Sequence, residues 1–457
     1  MTVATTVPSP RQRIAAIATI ALLVAFVALT IVNAGVDLQR SIIAGPLLLV
    51  AIAAGWYAIT RAGTRKKIAV IVCLVAVVGI VMLGFLGGFW AAVFTLARVV
   101  CLALAAVLGP ASLGRDVRSL KAAPVPGEPV PAARRGVLII NPRSGNGKAA
   151  RVGLEQACRE REIDVIYLED GSDLRQLAVD ALDRGADVIG MAGGDGSQAL
   201  VASVAAERGV AMVVVPAGTR NHLAMDLGLD RDDVVGALDA YDKAVQRSMD
   251  LADVNGQVFV NNVSMGLYAA IVRSPEYRDA KVDTTVSALQ EALAPGTPPF
   301  DLRYAEPDGT RHEGAHLIQV SNNAYGQTLD GLTSRPRLDA HELQVIAVEF
   351  SNDKGVASLI ADLAAAHPER NPAYHAWTAS TFEVTSSAPI DVGLDGEARA
   401  MHPPLRFSIR DRPARVRLPT TAIGYSPAGR SLDWRSAIKG VIRVATGHAV
   451  PIDPTGE

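Results

Sequence analysis

Cysteine is nearly missing from this 457-residue chain, which has only Cys73, Cys101 and Cys158. Thiols so few and so scattered exclude a disulfide framework or a cysteine-held zinc site. Two of them lie in apolar stretches, where a thiol behaves as a small hydrophobe. A reducing, cytosolic setting is therefore expected for the soluble part. Net charge is scarce too: the formal value is −2, so nothing in the balance points to nucleic acid. Charge is thinnest at the start. Residues 1–109 are almost free of it, whereas the rest has an ordinary soluble composition. A chain of this length suggests two or three domains.

The first region reads as membrane. Ile14 to Val32, Ser41 to Thr60 and Ile68 to Leu86 are each about long enough to span a bilayer as helix, and none contains a charged residue. Phe89 to Leu108 is equally apolar except for Arg98. The first run is too long for the apolar core of a signal peptide, and further spans follow it, so it is expected to be retained. Arg11 and Arg13 precede span one, and Arg61, Arg65, Lys66 and Lys67 follow span two. Arg115, Arg118 and Lys121 follow span four, while the remaining connections carry little or no positive charge. The positive-inside rule then gives four spans with both termini cytoplasmic, a multi-pass protein of the plasma membrane. Arg98 has no acidic partner within the spans and is expected to snorkel from a shallow helix.

Residues 110–135, with Pro124, Pro126, Pro129 and Pro131 closely spaced, read as a semi-rigid linker. Beyond it, short apolar strands alternate with helical stretches. Gly136 to Ile140, Ile163 to Tyr167, Asp187 to Ala192 and Val210 to Val215 read as strands, and Leu174 to Arg184 and Gln198 to Arg208 as helices. The alternation predicts an α/β domain over 136–248 with a mainly parallel sheet. Over 249–425 the pattern becomes β-rich. Gly256 to Val260, His316 to Val320, Leu343 to Phe350, Thr381 to Thr385, Leu405 to Ile409 and Ala414 to Leu418 suit an antiparallel, sandwich-like domain. Thr284 to Ala294 and Val356 to Ala366 read as interrupting helices. A basic tail, 426–457, contains a helix over Leu432 to His448 that either lies on anionic lipid or packs on the soluble half. No internal repeat is apparent.

Ligands of parallel sheets bind at the carboxyl ends of the strands, and three such ends here are polar. Asn141-Pro142-Arg143-Ser144-Gly145 follows the first strand, Gly193-Gly194-Asp195-Gly196-Ser197 the third, and Gly218-Thr219-Arg220-Asn221 the fourth. Glycines let backbone amides approach a phosphate chain, and a helix N-terminus favours an anion. Asp195 suits a metal ion or a loop-holding hydrogen bond, and Ser197 offers a hydroxyl. Each loop alone is also plain turn chemistry. Gly145-x-Gly147-x-x-Ala150 with Glu169 forms a degenerate dinucleotide fingerprint, but that site does not explain the other two loops. Far downstream, Asp395-Gly396-Glu397 places two carboxylates around a glycine, where both can face a cleft. A hydroxyl attacking a γ-phosphate needs an acceptor for its proton, and Glu397 is the candidate base.

These four motifs, in this order and spacing, resemble the diacylglycerol kinase catalytic family, which includes sphingosine kinases. The resemblance runs over about Arg135 to Pro419. It implies a membrane-anchored lipid kinase that passes the γ-phosphate of ATP to the hydroxyl of diacylglycerol, a sphingoid base or a related lipid. It implies ATP at Asn141 to Gly145, Gly193 to Ser197 and Gly218 to Asn221, with Glu397 as base and Asp395 orienting the turn or a metal. It also implies Mg²⁺ near Asp339, in Pro336-Arg337-Leu338-Asp339. The expected partners are the lipid substrate and the bilayer, with self-association left open. Six positions depart from the pattern, the mildest being Ser197 for a usual Thr. Gln198 and Ala199 replace a usual Asn-Glu, His222 a usual Asp, and Ala340 and His341 erode the acidic segment after Asp339. Asp226 is the stand-in for the carboxylate missing at 222. The rival readings are an inactive membrane-bound sensor of the same fold and a kinase of soluble substrates resembling NAD kinases.

Overall fold

The structure, a computed structural model, describes residues 8–36, 89–113, 125–267, 299–326, 334–350, 368–426 and 434–448, with isolated helical positions between 47 and 78. The chain divides into two compact units, 1–123 with 432–457, and 124–431.

In the first unit, the helices Pro10–Val36 and Phe89–Ser112 pack on one another. They contain the expected first and fourth spans. The second and third lie outside the described residues. Pro10–Val32, with a mean hydropathy of 2.8, is long and apolar enough to cross a membrane, the one such helix among the described residues. Ile14, Val24 and Ile31 are 67%, 64% and 67% exposed, an outer surface that suits lipid better than water. Arg98 departs from expectation. It is 8% exposed, a buried residue and not one at an open surface. The tail forms the helix Trp434–Ala445, which packs on Pro10–Val36, with Val441 and Val444 closing over Ala16. Ile438 and Ile442 stay exposed.

The second unit opens with β1 (Glu128–Val130), β2 (Gly136–Ile140), β3 (Asp164–Tyr167), β4 (Val188–Gly193), β5 (Ala211–Pro216) and β6 (Ala244–Met249). Next come β7 (Ala252–Val254), β8 (Gln257–Phe259), β9 (Asn262–Gly266), β10 (Tyr304–Ala305), β11 (Arg311–His312) and β12 (Leu317–Asn322). Then follow β13 (Leu343–Val348), β14 (Tyr374–Ala379), β15 (Thr381–Val384), β16 (Ile390–Leu394), β17 (Glu397–Met401), β18 (Leu405–Ile409) and β19 (Ala414–Pro419).

The first sheet has the order β1-β6-β19-β5-β4-β2-β3, with a parallel centre from β19 to β3. Strands β2, β4 and β5 are fully buried runs because both faces are covered. Val137 and Ile139 join a core with Ala178, Ala199 and Ala202 of the helices Leu174–Asp183 and Asp195–Arg208. Leu138 and Ile140 point the other way, onto Leu154 and Ala157 of the helix Leu154–Glu160. Alternation along one strand therefore serves two layers.

The β-rich half is an antiparallel pair of sheets, β14-β13-β12-β9-β16-β17 and β15-β18-β7-β8. Phe259, Met265, Val320, Val345 and Phe407 belong to their common core. Two expectations change. Ala414 to Leu418, read with the sandwich, is β19 of the first sheet, where Arg415 pairs in parallel with Ala211. Within the expected linker, Glu128–Val130 is an edge strand on β6, a place where Pro129 can lack an N–H. Thr284 to Ala294 and Val356 to Ala366 lie outside the described residues.

Candidate active site

The three polar loops meet at the ends of β2, β4 and β5. Asn141 continues the β2–β4 pairing through its N–H to the Ala192 carbonyl, and its Oδ1 accepts from the Arg143 N–H at 3.0 Å. Gly145 and Gly147 then turn with φ of 56° and 75°. A Cβ at Gly145 would lie 2.5 Å from the Ala217 carbonyl, so the first loop lies directly against the third. Lys148 ties the same two together, donating to the Pro216 carbonyl at 3.1 Å. Only four residues, Lys148–Arg151, are helical after this turn, so the long helix a dinucleotide fingerprint requires is not there. Gly218 meets the second loop: a Cβ on it would come within 2.6 Å of Gly194 Cα.

Within this assembly the side chains divide into two groups. Asn221, itself at φ 51°, spends its amide on its own loop, accepting from Gly218 N and donating to the Pro216 and Gly218 carbonyls. Asp195 is buried and accepts from the His222 and Leu223 N–H groups at 2.9 and 3.3 Å, capping the helix His222–Asp226. These are the loop-holding bonds expected of it. Gln198 donates to the Gly193 and Val215 carbonyls, so the residue that departs from the family pattern braces β4 against β5. By contrast, the hydroxyls of Ser144, Ser197 and Thr219 have no protein partner among the described residues. Gly194 starts the helix Asp195–Arg208 without a side-chain cap. No atom lies within 4 Å of a Cβ built on it. Open space, free hydroxyls and an uncapped helix N-terminus together suit an oxyanion chain.

The Asp395-Gly396 turn comes to this place from the other half. Asp395 and Gly396 have φ of 48° and 88°, the positive pair of a two-residue hairpin turn. It joins β16 to β17 with Leu394 opposite Glu397. The two carboxylates do not share one role. Asp395 is half-buried and accepts from the Val260, Asn261 and Asn262 N–H groups at 3.0, 2.8 and 3.2 Å. Burial pushes its pKa up to about 7 against those donors, and the Asp195 charge adds to the rise. Glu397 has a 61% exposed side chain, held by Arg399 at 3.1 Å. Its Oε1 lies 3.4 Å from the position of a Cβ on Gly196. Arg220 of the third loop reaches Gly396 from the other side, 3.6 Å from the corresponding point.

A residue invisible to motif reading fixes this juxtaposition. Arg335 is fully buried and pairs with Asp226 at 2.7 Å, both side chains at 0% exposure. It also donates to the Val260 and Asn322 carbonyls and to Asn261 Oδ1, and its guanidinium lies 5.6 Å from the Tyr325 ring. Asp226 is therefore a buried ion-pair partner and not a substitute for the carboxylate missing at 222. Burial pushes it up to about 6 despite the guanidinium. A closed circuit results: Asp195 caps the helix that ends in Asp226, Asp226 holds Arg335, and Arg335 and Asp395 both grip residues 260–262. Glu397 then returns to Gly196, next to Asp195.

Asp339 sits on the loop after Arg335, its carboxylate paired with Arg337 at 3.1 Å. The departures at Ala340 and His341 keep that loop in place. Ala340 N donates to Asn323 Oδ1 and His341 N to Asp250 Oδ2. Among the residues not singled out, Lys148 follows the first loop and Arg220 lies inside the third, and both could have been found as basic residues at glycine-rich strand ends. Arg335 offered no such signal.

Residues 135–254 match the diacylglycerol kinase catalytic domain, a stretch that holds all three strand-end loops and stops short of Glu397. A diacylglycerol kinase of Bacillus subtilis is 34% identical over 136 residues, 28% of this chain and 44% of its own length. A Pseudomonas aeruginosa protein named "Probable lipid kinase YegS-like" is 28% identical over 290 residues, 62% of this chain and 93% of its own. A crystal structure of a diacylglycerol kinase from Bacillus anthracis superposes with a TM-score of 0.48 at 19% identity, covering 65% of this chain and 98% of that one.

Proposed function

We propose that this protein is a membrane-anchored lipid kinase that transfers the γ-phosphate of ATP to a lipid hydroxyl at the cytoplasmic face. The observation that carries the reading is the approach of Glu397 to Gly196, which puts an exposed carboxylate beside a loop suited to phosphate. ATP, when bound, supplies the phosphoryl group, and its phosphates suit the amides of 193–197 and 218–219 with the hydroxyls of Ser144, Ser197 and Thr219. Mg²⁺ offsets phosphate charge; as a cation that keeps several waters and needs one or two carboxylates, it fits Asp339 as a single protein ligand. Glu397 accepts the proton of the attacking hydroxyl, and Arg399 keeps its carboxylate in the orientation described. Asp395 holds the turn from below and never meets substrate.

Glu397→Gln preserves size and hydrogen bonding but removes the ability to take a proton. Transfer from labelled ATP to lipid should fall by roughly two or more orders of magnitude, while thermal stabilisation by ATP·Mg²⁺ persists. A folded variant with near wild-type transfer would remove Glu397 from the mechanism. Incubating wild-type protein with a total lipid extract and identifying the labelled product distinguishes diacylglycerol from sphingoid acceptors; label on no lipid favours the sensor reading. The anchor is tested separately. A reporter active only in the periplasm, fused within 114–124, should stay silent, and a strong signal would invert the topology or remove a span.

A further inference from the structure

Far along the chain from these loops, the β-rich half gathers a second set of polar side chains that the kinase chemistry does not use. Glu306 follows β10, His312 lies on β11, His375 on β14, and Glu349 just after β13. Glu306 Oε1 is 2.8 Å from His312 Nε2 and 3.0 Å from His375 Nδ1. On the other side of the same ring, His312 Nδ1 is 2.8 Å from Glu349 Oε1. That oxygen also accepts from the Tyr304 hydroxyl at 2.9 Å. Tyr304 stacks on the His312 ring, with centroids 4.5 Å apart and planes 2° from parallel.

The hydrogen count of this cluster closes only with an added positive charge. A neutral imidazole donates one hydrogen, yet both nitrogens of His312 face carboxylate oxygens at 2.8 Å. One nitrogen therefore points its lone pair at an oxygen lone pair unless a second proton or a metal cation stands there. Glu306, His312 and His375 each aim one ligand atom at a common point, all within 4.8 Å of one another. Two carboxylates in a half-buried place add a negative charge that two neutral imidazoles do not offset.

We propose that Glu306, His312 and His375 bind a divalent transition-metal cation of the zinc class. Two imidazoles and a carboxylate are a zinc donor set, with bonds of about 2.0–2.2 Å and a fourth position for water. The metal takes the place of the hydrogen at His312 Nε2. Nδ1–H then donates to Glu349, the outer carboxylate that fixes tautomer and ring orientation at metal-bound histidines. Tyr304 orients Glu349 in turn. The cation pins the β10–β11 hairpin to strand β14, at the edge of the six-stranded sheet.

The test uses the full-length protein in detergent, stripped with chelator and then given ZnCl₂ or CoCl₂. Wild type should retain one zinc on these ligands after gel filtration, melt at higher temperature with zinc than without it, and show the visible absorption of low-coordinate cobalt. His375→Ala and His312→Ala should each lose that metal and the cobalt spectrum, and Glu349→Gln should weaken affinity by about 10- to 100-fold. His375 is at the sheet edge, so its variant carries the test if His312→Ala fails to fold. No zinc uptake by wild type, uptake unchanged in His375→Ala, or stability that follows pH but not zinc would each overturn the proposal. None of the four residues belongs to the strand-end loops or the Asp395–Glu397 turn, so failure here leaves the kinase reading where it stands.

Discussion

The two halves of the second unit, the parallel sheet and the β-rich half, place polar groups by different means. At the ends of β2, β4 and β5, backbone does the placing. Gly145 lies against Ala217, Gly218 against Gly194, and the polar side chains mostly brace the loops themselves. Where the β-rich half meets them, side chains do it: the buried Arg335 with the buried Asp226, and the half-buried Asp395 with the amides of 260–262. The first means leaves room for a ligand and tolerates exposure. The second puts charges out of water, where each is costly unless its partner is present.

The sharpest way to break this comparison is to remove one partner. Asp226→Ala leaves the Arg335 guanidinium buried and unpaired, which should cost about 3–5 kcal/mol of stability in denaturant unfolding. Replacing both with leucine should recover much of the loss. A cost under about 1 kcal/mol for the single variant would mean that the pair organises nothing. The backbone-built side is tested by two glycines. Gly218→Ala drives a methyl into Gly194 and should reduce both stability and transfer. Gly194→Ala, at φ −82° and with open space around its Cβ, should abolish transfer yet leave stability within about 0.5 kcal/mol. Equal effects from the two would show that the open space is not where phosphate binds.

The smallest effect is electrostatic. Asp395 stays protonated in the folded chain up to about 7, whereas the unfolded chain releases that proton near the ordinary carboxylate value of about 3.9. Unfolding between those limits releases a proton, so rising pH favours the unfolded chain. The stability this group contributes is full at the low end and lost as pH climbs through 7. Asp395→Asn should flatten the slope of stability against pH by roughly one proton in that window. Asp226 has the same sign and leaves part of the slope in place. An unchanged slope in Asp395→Asn would place the proton elsewhere.

That division also explains what could be read in advance. The parallel centre of the first sheet was legible because strands covered on both faces, such as Val137 to Ile140, are unbroken apolar runs, and loops built from glycine announce themselves. Glu397 was found through its turn, since Asp-Gly between alternating residues is a hairpin signal. Asp395 accepts from the amides of 260–262, which agrees with the turn-orienting role expected of it; which amides it would meet was not legible, because they lie far away along the chain. Arg335 was invisible for a related reason. Its partner lies 109 positions away along the chain, and an arginine in Ser334-Arg335-Pro336-Arg337 looks like solvated charge. β19 was assigned to the sandwich because its pattern of Arg415, Val416, Arg417 and Leu418 suits an antiparallel strand as well as a parallel one.

The position of β19 also affects how the chain can be made. It lies between β5 and β6, yet it is synthesised after every strand of the second sheet. While the nascent chain grows, β5 offers an unpaired apolar edge beside the strand-end loops, and the slot for Val416 and Leu418 stays empty. Such an edge invites pairing with other chains. A fragment ending near residue 254, though it contains the whole matched family region, would carry that open edge permanently. Synthesis must run through Pro419 before the first half can close.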